Sequence, residues 1–375
     1  MYKRDIENTI KEWLPGKEVV ILYGPRQSGK TTLLTMLFDQ NPDALILNCE
    51  RPDLADILES SDLSRIKMIF GDKKIIALDE ALKIRNIGPL LKLVYDEPSF
   101  VQKIIATGSS SFELANTISE PLTGRNVKFL LLPLSIGELS GARGWLWIYE
   151  NLNLMPIYGS YPGIIDISGE FKTRKLFDLA SDYLFKDILI HENLRNPSLL
   201  RKLLKLLALQ VGSQVSFHEL SKTLAVSSKT IEKYIDLLEK SFVIFSLPSF
   251  SRNQRTEIRK SRKFYFYDLG IRNALITNFN DPDSRTDTGA IWENFCILER
   301  LKYNLIHQPF AQLYFWRTYD GAEIDLVEEA NGKINIFEFK WRGKSNARFP
   351  RSFSENYEIN TGKLISKENI HELIA

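Results

Sequence analysis

The chain has 375 residues, a length that predicts two or three domains rather than a single hydrophobic core. Hydrophobic residues make up 44% and charged residues 26%, which excludes a largely disordered chain, and no apolar run is long enough to cross a bilayer. The formal net charge of +2 neither favours nor excludes a nucleic-acid partner. Cys49 and Cys296 have no metal-ligand spacing, so we interpret them as small buried residues of a soluble, cytoplasmic protein.

The first predicted elements are a strand, a loop and a helix. An apolar run at 19–23 is followed by GPRQSGKTT and then by a helical pattern. In the motif G-x-x-x-x-G-K-T, the two glycines let the loop bend so that backbone N–H groups surround phosphate oxygens. Lys30 supplies a positive charge to the phosphates, and Thr31 offers a hydroxyl to Mg²⁺. The sequence therefore predicts an ATP site formed by Gly24, Pro25, Arg26, Gln27, Ser28, Gly29, Lys30, Thr31 and Thr32.

A second apolar run, at 75–78, ends in two carboxylates, Asp79 and Glu80. We expect Asp79 to hold Mg²⁺ through its water shell, and Glu80 to orient and partly deprotonate the attacking water. The alternative is a strand followed by acidic residues that cap a helix. The phosphate-binding motif upstream favours the carboxylates of an ATPase.

Further apolar runs at 45–47, 103–106 and 127–132 predict a parallel sheet of five strands alternating with helices. We predict that Ser109, after the fourth strand, senses the γ-phosphate; Thr107 and a simple turn are the alternatives. Arg125 precedes the fifth strand. It is predicted either to neutralise charge on the transferred phosphoryl group, in its own or a neighbouring subunit of a homo-oligomer, or to form a surface salt bridge.

The middle of the chain predicts a helical connector at 172–210 and then two amphipathic helices, the second with Ser227 or Ser228 as its N-cap. Apolar runs at 243–246 and 263–267 add a strand pair, so the segment predicts a winged helix. A basic stretch joins these strands, which predicts salt-dependent contact with DNA phosphates. The alternative is a module that contacts protein. The predicted DNA-contacting residues are Arg252, Arg255, Arg259, Lys260 and Arg262.

Near the C-terminus, an amphipathic helix containing Glu293 precedes strands at 313–317, 323–327 and 334–340, with a hairpin turn at Asn331-Gly332. This order resembles the PD-(D/E)XK nuclease core. Because side chains alternate along a strand, Glu338 and Lys340 share a face and Asp325 lies on the neighbouring strand. We expect Asp325, Glu338 and Glu293 to bind Mg²⁺ and Lys340 to stabilise transition-state charge. The alternative is a pair of charged strands on a solvated face, without catalysis.

The segments GPRQSGKTTLL, LDE, ATGSSS, LTGR, LPLSIGE and YGSYPG together resemble a prokaryotic family of AAA-plus ATPases with an uncharacterised C-terminal domain. Leu82 stands where that family commonly has Gln. The resemblance implies an α/β fold: an AAA-plus P-loop ATPase domain at 1–155, a helical connector and winged helix at 156–262, and a restriction-endonuclease-like core at 263–375. Two functions follow from it. One is an ATP-driven switch or motor on DNA with a nuclease-like domain, and the other is a regulatory ATPase whose C-terminal domains contact protein partners.

Overall fold

The computed structural model describes residues 1–109, 122–182, 196–251, 262–343 and 349–375. The chain divides into two compact units. The first comprises Met1–Leu134 and Lys240–Phe242, and the second comprises Ser135–Glu239 and Val243–Ala375. The three domains predicted at 1–155, 156–262 and 263–375 stay a prediction. Among the described residues, no helix combines the length and the apolar composition that crossing a membrane requires.

The first unit is built on a five-stranded parallel sheet of order β2-β3-β4-β1-β5, as predicted. Its strands are β1 (Val19–Tyr23), β2 (Ala44–Asn48), β3 (Ile75–Asp79), β4 (Lys103–Gly108) and β5 (Asn126–Leu130). Its described helices are α1 (Ile6–Glu12), α2 (Lys30–Phe38), α3 (Pro52–Ser60), α4 (Leu63–Phe70) and α5 (Ile87–Asp96), with a 3₁₀ turn at Ala81–Lys83.

Both faces of this sheet are covered, because its strands are apolar at consecutive positions. On one face Ile21 and Ile76 pack with side chains of α3, α4 and α5. On the other face Val20 and Ala77 pack with Leu34 of α2. The carboxyl ends of β1, β3 and β4 therefore meet at one edge of a sheet whose core is fixed on both sides.

The second unit begins with helices and continues into a small sheet. Its first helices are α6 (Ile136–Arg143), α7 (Trp145–Asn151), α8 (Met155–Tyr158), α9 (Pro162–Ile165), α10 (Glu170–Asp182) and α11 (Pro197–Leu209). The next elements are β6 (Gln214–Val215), α12 (Phe217–Leu224), α13 (Ser228–Lys240), β7 (Ile244–Pro248) and β8 (Arg262–Phe266). Ser227 caps α13, since its Oγ accepts the N–H of Thr230 at 3.1 Å. The antiparallel order is β6-β8-β7, and β6 is too short for sequence alternation to predict.

A four-stranded sheet completes the second unit. It follows α14 (Leu269–Ile276) and α15 (Thr288–His307) and contains β9 (Gln312–Arg317), β10 (Glu323–Ala330), β11 (Lys333–Phe339) and β12 (Thr361–Ile365). The order is β12-β11-β10-β9, with β12 parallel to β11 and the other pairs antiparallel. Asn331 and Gly332 have φ of 52° and 74°, which confirms the predicted hairpin turn. Edge strand β12 is missing from the sequence prediction because its sequence, TGKLI, lacks regular alternation.

Helix α15 is buried on most of its sides, so the prediction of an amphipathic helix is wrong in this respect. Arg300 donates to both carboxylate oxygens of Glu328 at 2.6 and 2.7 Å, and both side chains are buried. Lys302 pairs with Glu299 at 2.7 Å. Because each of these buried charges has a partner of opposite sign, the helix lies in the core despite its charged residues.

The sequence YGSYPG at 158–163 contains a glycine that a close approach requires. Gly159 has φ of 69°, and a Cβ atom there would lie 2.1 Å from Oδ1 of Asp268. The carboxylate of Asp268 accepts the N–H of Ser160 at 2.9 Å and that of Ile271 at 3.1 Å, so it caps α14 and holds the loop at the same time. Burial raises the pKa of Asp268 to about 6.

A buried group of arginines joins α11, α14 and the segment before α15. Arg272 donates to the carbonyl oxygen of Ala208 at 2.8 Å and to Oδ2 of Asp287 at 2.7 Å. Arg285 donates to both oxygens of Asp287, at 2.7 and 2.9 Å. Burial opposes ionisation of Asp287, but hydrogen bonds from the two guanidinium groups outweigh it and hold its pKa at about 2.

Candidate functional site

The loop between β1 and α2 has two backbone positions that require glycine. At Gly24, a Cβ atom would lie 2.2 Å from the carbonyl oxygen of Leu131, whose N–H donates to the oxygen of Tyr23 at 2.8 Å. Gly29 has φ of 98° directly before α2. Both glycines of the predicted motif are therefore fixed by the backbone, and at Gly24 the reason is contact with the residue after β5 as well as the bend.

Lys30 begins α2, and its side chain is enclosed by the loop. The residue is only 4% exposed, and Nζ donates to the carbonyl oxygens of Gly24 and Pro25 at 2.9 and 3.0 Å. A helix N-terminus carries partial positive charge. The loop, the ammonium group and α2 thus direct positive potential at one place, which is what a triphosphate requires.

Asp79, at the end of β3, is hydrogen-bonded to hydroxyl groups from two other elements. Thr31 Oγ1 donates to Oδ2 at 2.8 Å, and Thr107 Oγ1 donates to Oδ1 at 2.7 Å. Thr107 also accepts the backbone N–H of Glu80 at 2.8 Å. The structure therefore joins Thr31, Asp79 and Glu80, and it adds Thr107, which the sequence offered as the alternative to Ser109.

Glu80 follows β3 in the left-handed backbone conformation, with φ of 53°. Burial raises the pKa of its carboxyl, against the opposing effect of Lys30. Lys83 Nζ lies 4.0 Å from Glu80 Oε2 and also pairs with Glu50, after β2. A half-buried carboxylate with a raised pKa and nearby cations suits a group that accepts a proton from water.

The remaining predicted ATPase residues lie at the same edge or on the surface. Ser109 is buried directly after β4. Arg125 donates to Asp96 at 2.9 Å, with both side chains a third or more exposed, and its guanidinium lies 5.9 Å from the centre of the Tyr95 ring. This is the surface salt bridge that the sequence offered as an alternative. Contact of Ser109 or Arg125 with a γ-phosphate stays a prediction.

Sequence reasoning missed Arg4. This buried side chain donates to the carbonyl oxygen of Ser28 at 2.7 Å and to that of Leu132 at 2.6 Å, so it ties the phosphate-binding loop to the segment after β5. Nothing in the sequence near residue 4 indicates a partner at residue 28 or 132. The signal exists only after the sheet has formed.

The donor set of this site fits a magnesium nucleotide. The Thr31 hydroxyl and the Asp79 carboxylate are hard oxygen ligands on adjacent elements, and Lys30 lies in the loop beside them. Within the described parts of the chain, Ser28 Oγ and Glu80 Oε2 are buried without a hydrogen-bond partner. Buried unpaired polar atoms are costly, and phosphate oxygens or an attacking water would satisfy them.

A second group of charged side chains lies in the C-terminal sheet. Leu326 pairs with Phe337 across β10 and β11, so Asp325 and Glu338 follow as the next neighbours in register. Asp325 Oδ2 accepts the N–H of Phe339 at 2.8 Å, and Glu338 pairs with Lys340 at 2.7 Å. The register between β9 and β10 shifts between Ile324 and Val327, and such bulges re-aim side chains next to active sites.

Asp325 lies in an acidic environment. Burial, followed by the charges of Glu293 and Glu338, raises its pKa to about 7. Glu293 Oε1 accepts hydrogen bonds from Lys263 Nζ at 2.9 Å and from the Tyr265 hydroxyl at 2.6 Å. In the described ranges, no three His, Cys, Asp or Glu side chains converge to hold a metal ion. Joint metal binding by Glu293, Asp325 and Glu338 stays a prediction.

Most of the predicted DNA-contacting residues, Arg252, Arg255, Arg259 and Lys260, lie outside the described residues. Arg262 is exposed at the start of β8, where it pairs in register with Val215 of β6 and Pro248 of β7.

The strand order, the glycine loop that enters α2 and the carboxylates after β3 define an AAA-type P-loop ATPase. Residues 16–140 match the family model described as an AAA domain. Residues 149–282 and 288–371 match two domains of unknown function, DUF8612 and DUF4143. The class of protein predicted from the sequence, a prokaryotic AAA-type ATPase that binds nucleotide, is therefore confirmed.

The chain belongs to the same family as the uncharacterized protein Rv2008c of Mycobacterium tuberculosis. The two are 30% identical over 343 residues, which cover 90% of this chain and 74% of that protein. It is also 26% identical to the uncharacterized protein MJ1637 of Methanocaldococcus jannaschii over 94% of this chain and 81% of that protein. The Walker-type ATPase PABY2304 of Pyrococcus abyssi has a similar fold, with a TM-score of 0.50 and 18% identity, covering 74% of this chain and 96% of that one.

Proposed function

We propose that this ATPase is a nucleotide-driven switch or motor that acts on DNA and carries a Mg²⁺-dependent nuclease-like centre in its second unit. The observation that carries the proposal is the position of Asp325 beside Glu338 and Lys340, on neighbouring strands and at a bulge. A cytoplasmic location and assembly into a homo-oligomer, both expected from the sequence, stay predictions.

ATP hydrolysis in the first unit follows from the contacts around Asp79. Thr31 and Asp79 would hold Mg²⁺, which would offset charge on the phosphates. Lys30 would bind the phosphate oxygens, and Glu80 would orient the attacking water and accept its proton. Thr107 is hydrogen-bonded to the carboxylate of Asp79 and to the backbone N–H of Glu80, and would keep the two residues in a fixed relative position. Ser109 is proposed to sense the γ-phosphate, and Arg125 to act in trans once released from Asp96.

The proposed DNA contact rests on the order of elements in the second unit. The order α11, β6, α12, α13, β7, β8 supports the winged helix predicted from the sequence, and Arg252, Arg255, Arg259 and Lys260 lie between β7 and β8 in the sequence. Lys and Arg side chains that neutralise phosphates release condensed counterions. The contact should therefore be independent of base sequence and weaken steeply with salt.

The proposed nuclease chemistry rests on the charged side chains of β10 and β11. Asp325 and Glu338 would bind the ion, and the bound ion would supply a nucleophilic water. Lys340, 2.7 Å from Glu338, would stabilise the negative charge that develops on the attacked phosphate.

The test is a Mg²⁺ and Mn²⁺ titration of the protein with linear, branched and single-stranded DNA, with and without ATP. We expect DNA to stimulate ATPase activity, and metal-dependent nicking to be lost in Asp325→Ala. Asp320→Ala, at an exposed turn, is the matched control and should nick normally. Intact DNA at every metal concentration would eliminate the nuclease, and an ATPase rate that ignores DNA would eliminate the DNA switch.

The second candidate is a regulatory ATPase whose second unit binds protein and cuts nothing. It is favoured by two ion pairs, Lys263 with Glu293 and Lys340 with Glu338, because they already give these carboxylates partners within the protein. It predicts no salt-sensitive DNA binding. A DNA gel shift that disappears when Arg255 and Arg259 are neutralised would rule it out.

A further inference from the structure

Lys263 is a buried cation enclosed by carboxylates. Its side chain is 4% exposed, and Nζ lies 2.9 Å from Glu293 Oε1 and 2.6 Å from Glu323 Oε1. The ammonium group also lies 5.6 Å from the centre of the Phe315 ring. Lys263 belongs to β8 of the small sheet, whereas its partners belong to α15 and β10. Strand β8 of the small sheet thus places a positive charge beside an acidic cluster, formed by Glu293, Glu323, Asp325 and Glu338, at the four-stranded sheet.

The position of Glu293 is fixed by its surroundings. The Tyr265 hydroxyl donates to the same oxygen that Lys263 contacts, at 2.6 Å. A Cβ atom at Gly212 would lie 3.5 Å from one carboxylate oxygen of Glu293 and 3.6 Å from the other. Gly212 is itself held, because its N–H donates to the Phe264 oxygen at 3.1 Å. One oxygen of the carboxylate is therefore held by both Lys263 and Tyr265.

Lys263 changes the net charge of the acidic cluster. The cluster contains four carboxylates, those of Glu293, Glu323, Asp325 and Glu338, and three cationic groups, those of Lys263, Lys340 and Arg317, whose Nε lies 3.7 Å from Glu323 Oε2. When all are ionised, the formal charge is −1, which one divalent ion already more than offsets. A second divalent ion would raise the formal charge of the cluster to +3, and uncompensated positive charge next to the buried Lys263 is costly.

We propose that Lys263 takes the place of one divalent cation in this cluster. Glu293 and Glu323 are then its permanent partners, and a metal ion is limited to Asp325 and Glu338. Only the restriction of the metal ion to Asp325 and Glu338 rests on the proposed nuclease-like function. The ammonium supplies charge but no open coordination position, so a two-metal mechanism has no second ion here.

The test measures Mn²⁺ binding by calorimetry above pH 7, without nucleotide, in an Asp79→Asn parent that lacks the ATPase ligand. We expect Lys263→Met to gain about one bound Mn²⁺ per chain, since it removes the ammonium group from between Glu293 and Glu323 and leaves Glu323 only its longer contact with Arg317. The gain should disappear in Lys263→Met/Glu293→Gln. Lys302→Met, which removes another buried and paired lysine, is the matched control and should gain none. Binding by Lys263→Met equal to that of the parent would overturn the proposal.

A second variant decides the question if Lys263→Met does not fold. Glu293→Gln in the parent keeps Lys263 and its contact with Glu323. If Glu293 is a partner of the lysine only, this variant binds Mn²⁺ as the parent does; a loss of about tenfold or more would identify a metal ligand and overturn the proposal. Failure of the nuclease-like function gives a different result. In that case Asp325→Asn does not reduce the binding of Mn²⁺ to the parent, while Lys263→Met still gains one bound ion.

Discussion

Among single residues, Glu80 is the group whose removal should separate catalysis from binding. Glu80→Gln keeps the size of the side chain but cannot accept a proton, so we expect kcat for ATP hydrolysis to fall about 100-fold or more with little change in ATP affinity. Phosphate release and titration with a fluorescent nucleotide measure the two quantities. Lys30→Ala should instead lose binding, and Glu59→Gln, at an exposed position of α3, should change neither. Weakened binding in Glu80→Gln would contradict the assignment.

Gly159 tests the close approach that explains the YGSYPG segment. Gly159→Ala would place a Cβ atom 2.1 Å from the Asp268 carboxylate, at a φ of 69°. We expect it to lower the free energy of unfolding by about 3 kcal/mol or more. Gly141→Ala in α6, where the added Cβ atom would have no neighbour within 4 Å beyond the adjacent residues and the backbone of its own helix, should change stability slightly or raise it. Urea unfolding followed by tryptophan fluorescence compares the two, and equal midpoints would refute the steric argument.

At the scale of elements, Asp287 connects α11, α14 and the start of α15 through two arginines. Asp287→Asn leaves buried guanidinium groups without their counter-charge, so we expect a loss of about 3 kcal/mol in the free energy of unfolding at pH 7. The native pKa of about 2 lies below that of an unfolded aspartate. The stabilisation is therefore present above about pH 4 and is lost as the pH falls toward 2.

The difference between wild type and Asp287→Asn should accordingly shrink in acid, which urea unfolding at several pH values measures. Asp166→Asn breaks an exposed ion pair with Arg143 and is the matched control. It should cost less than about 1 kcal/mol. An Asp287→Asn effect that stays constant down to the acid limit would show that the charge of the carboxylate is not responsible.

At the scale of the whole molecule, the division into two compact units predicts how nucleotide affects unfolding. A ligand that binds only the folded first unit stabilises it by about 2.7 kcal/mol at one hundred times its Kd. We expect a non-hydrolysable ATP analogue with Mg²⁺ to raise the temperature at which the first unit unfolds, as measured by calorimetry. Five of the six tryptophans, all but Trp13, lie in the second unit. The midpoint of thermal unfolding followed by tryptophan fluorescence should therefore rise far less than the calorimetric transition temperature of the first unit. Equal shifts, or a shift that persists in Lys30→Ala, would contradict the prediction.

The sequence by itself determined the nucleotide-binding loop, the carboxylates after β3, the five parallel strands and the Asn331-Gly332 hairpin. Each of these is encoded locally, because glycine positions, apolar runs and turn residues limit the backbone over a few consecutive residues. The same local rules say little about a short or irregular strand, and β6 and β12 are missing from the prediction for that reason.

The tertiary structure alone decided which charges meet. Arg4 finds the carbonyl of Ser28, Thr107 joins Asp79 to Glu80, and Lys263 enters the acidic cluster of Glu293 and Glu323. Only the fold could bury the charged residues of α15, since it brings a partner of opposite sign to each. Contacts between residues distant in the chain depend on how elements pack, and no pattern along the sequence carries that information.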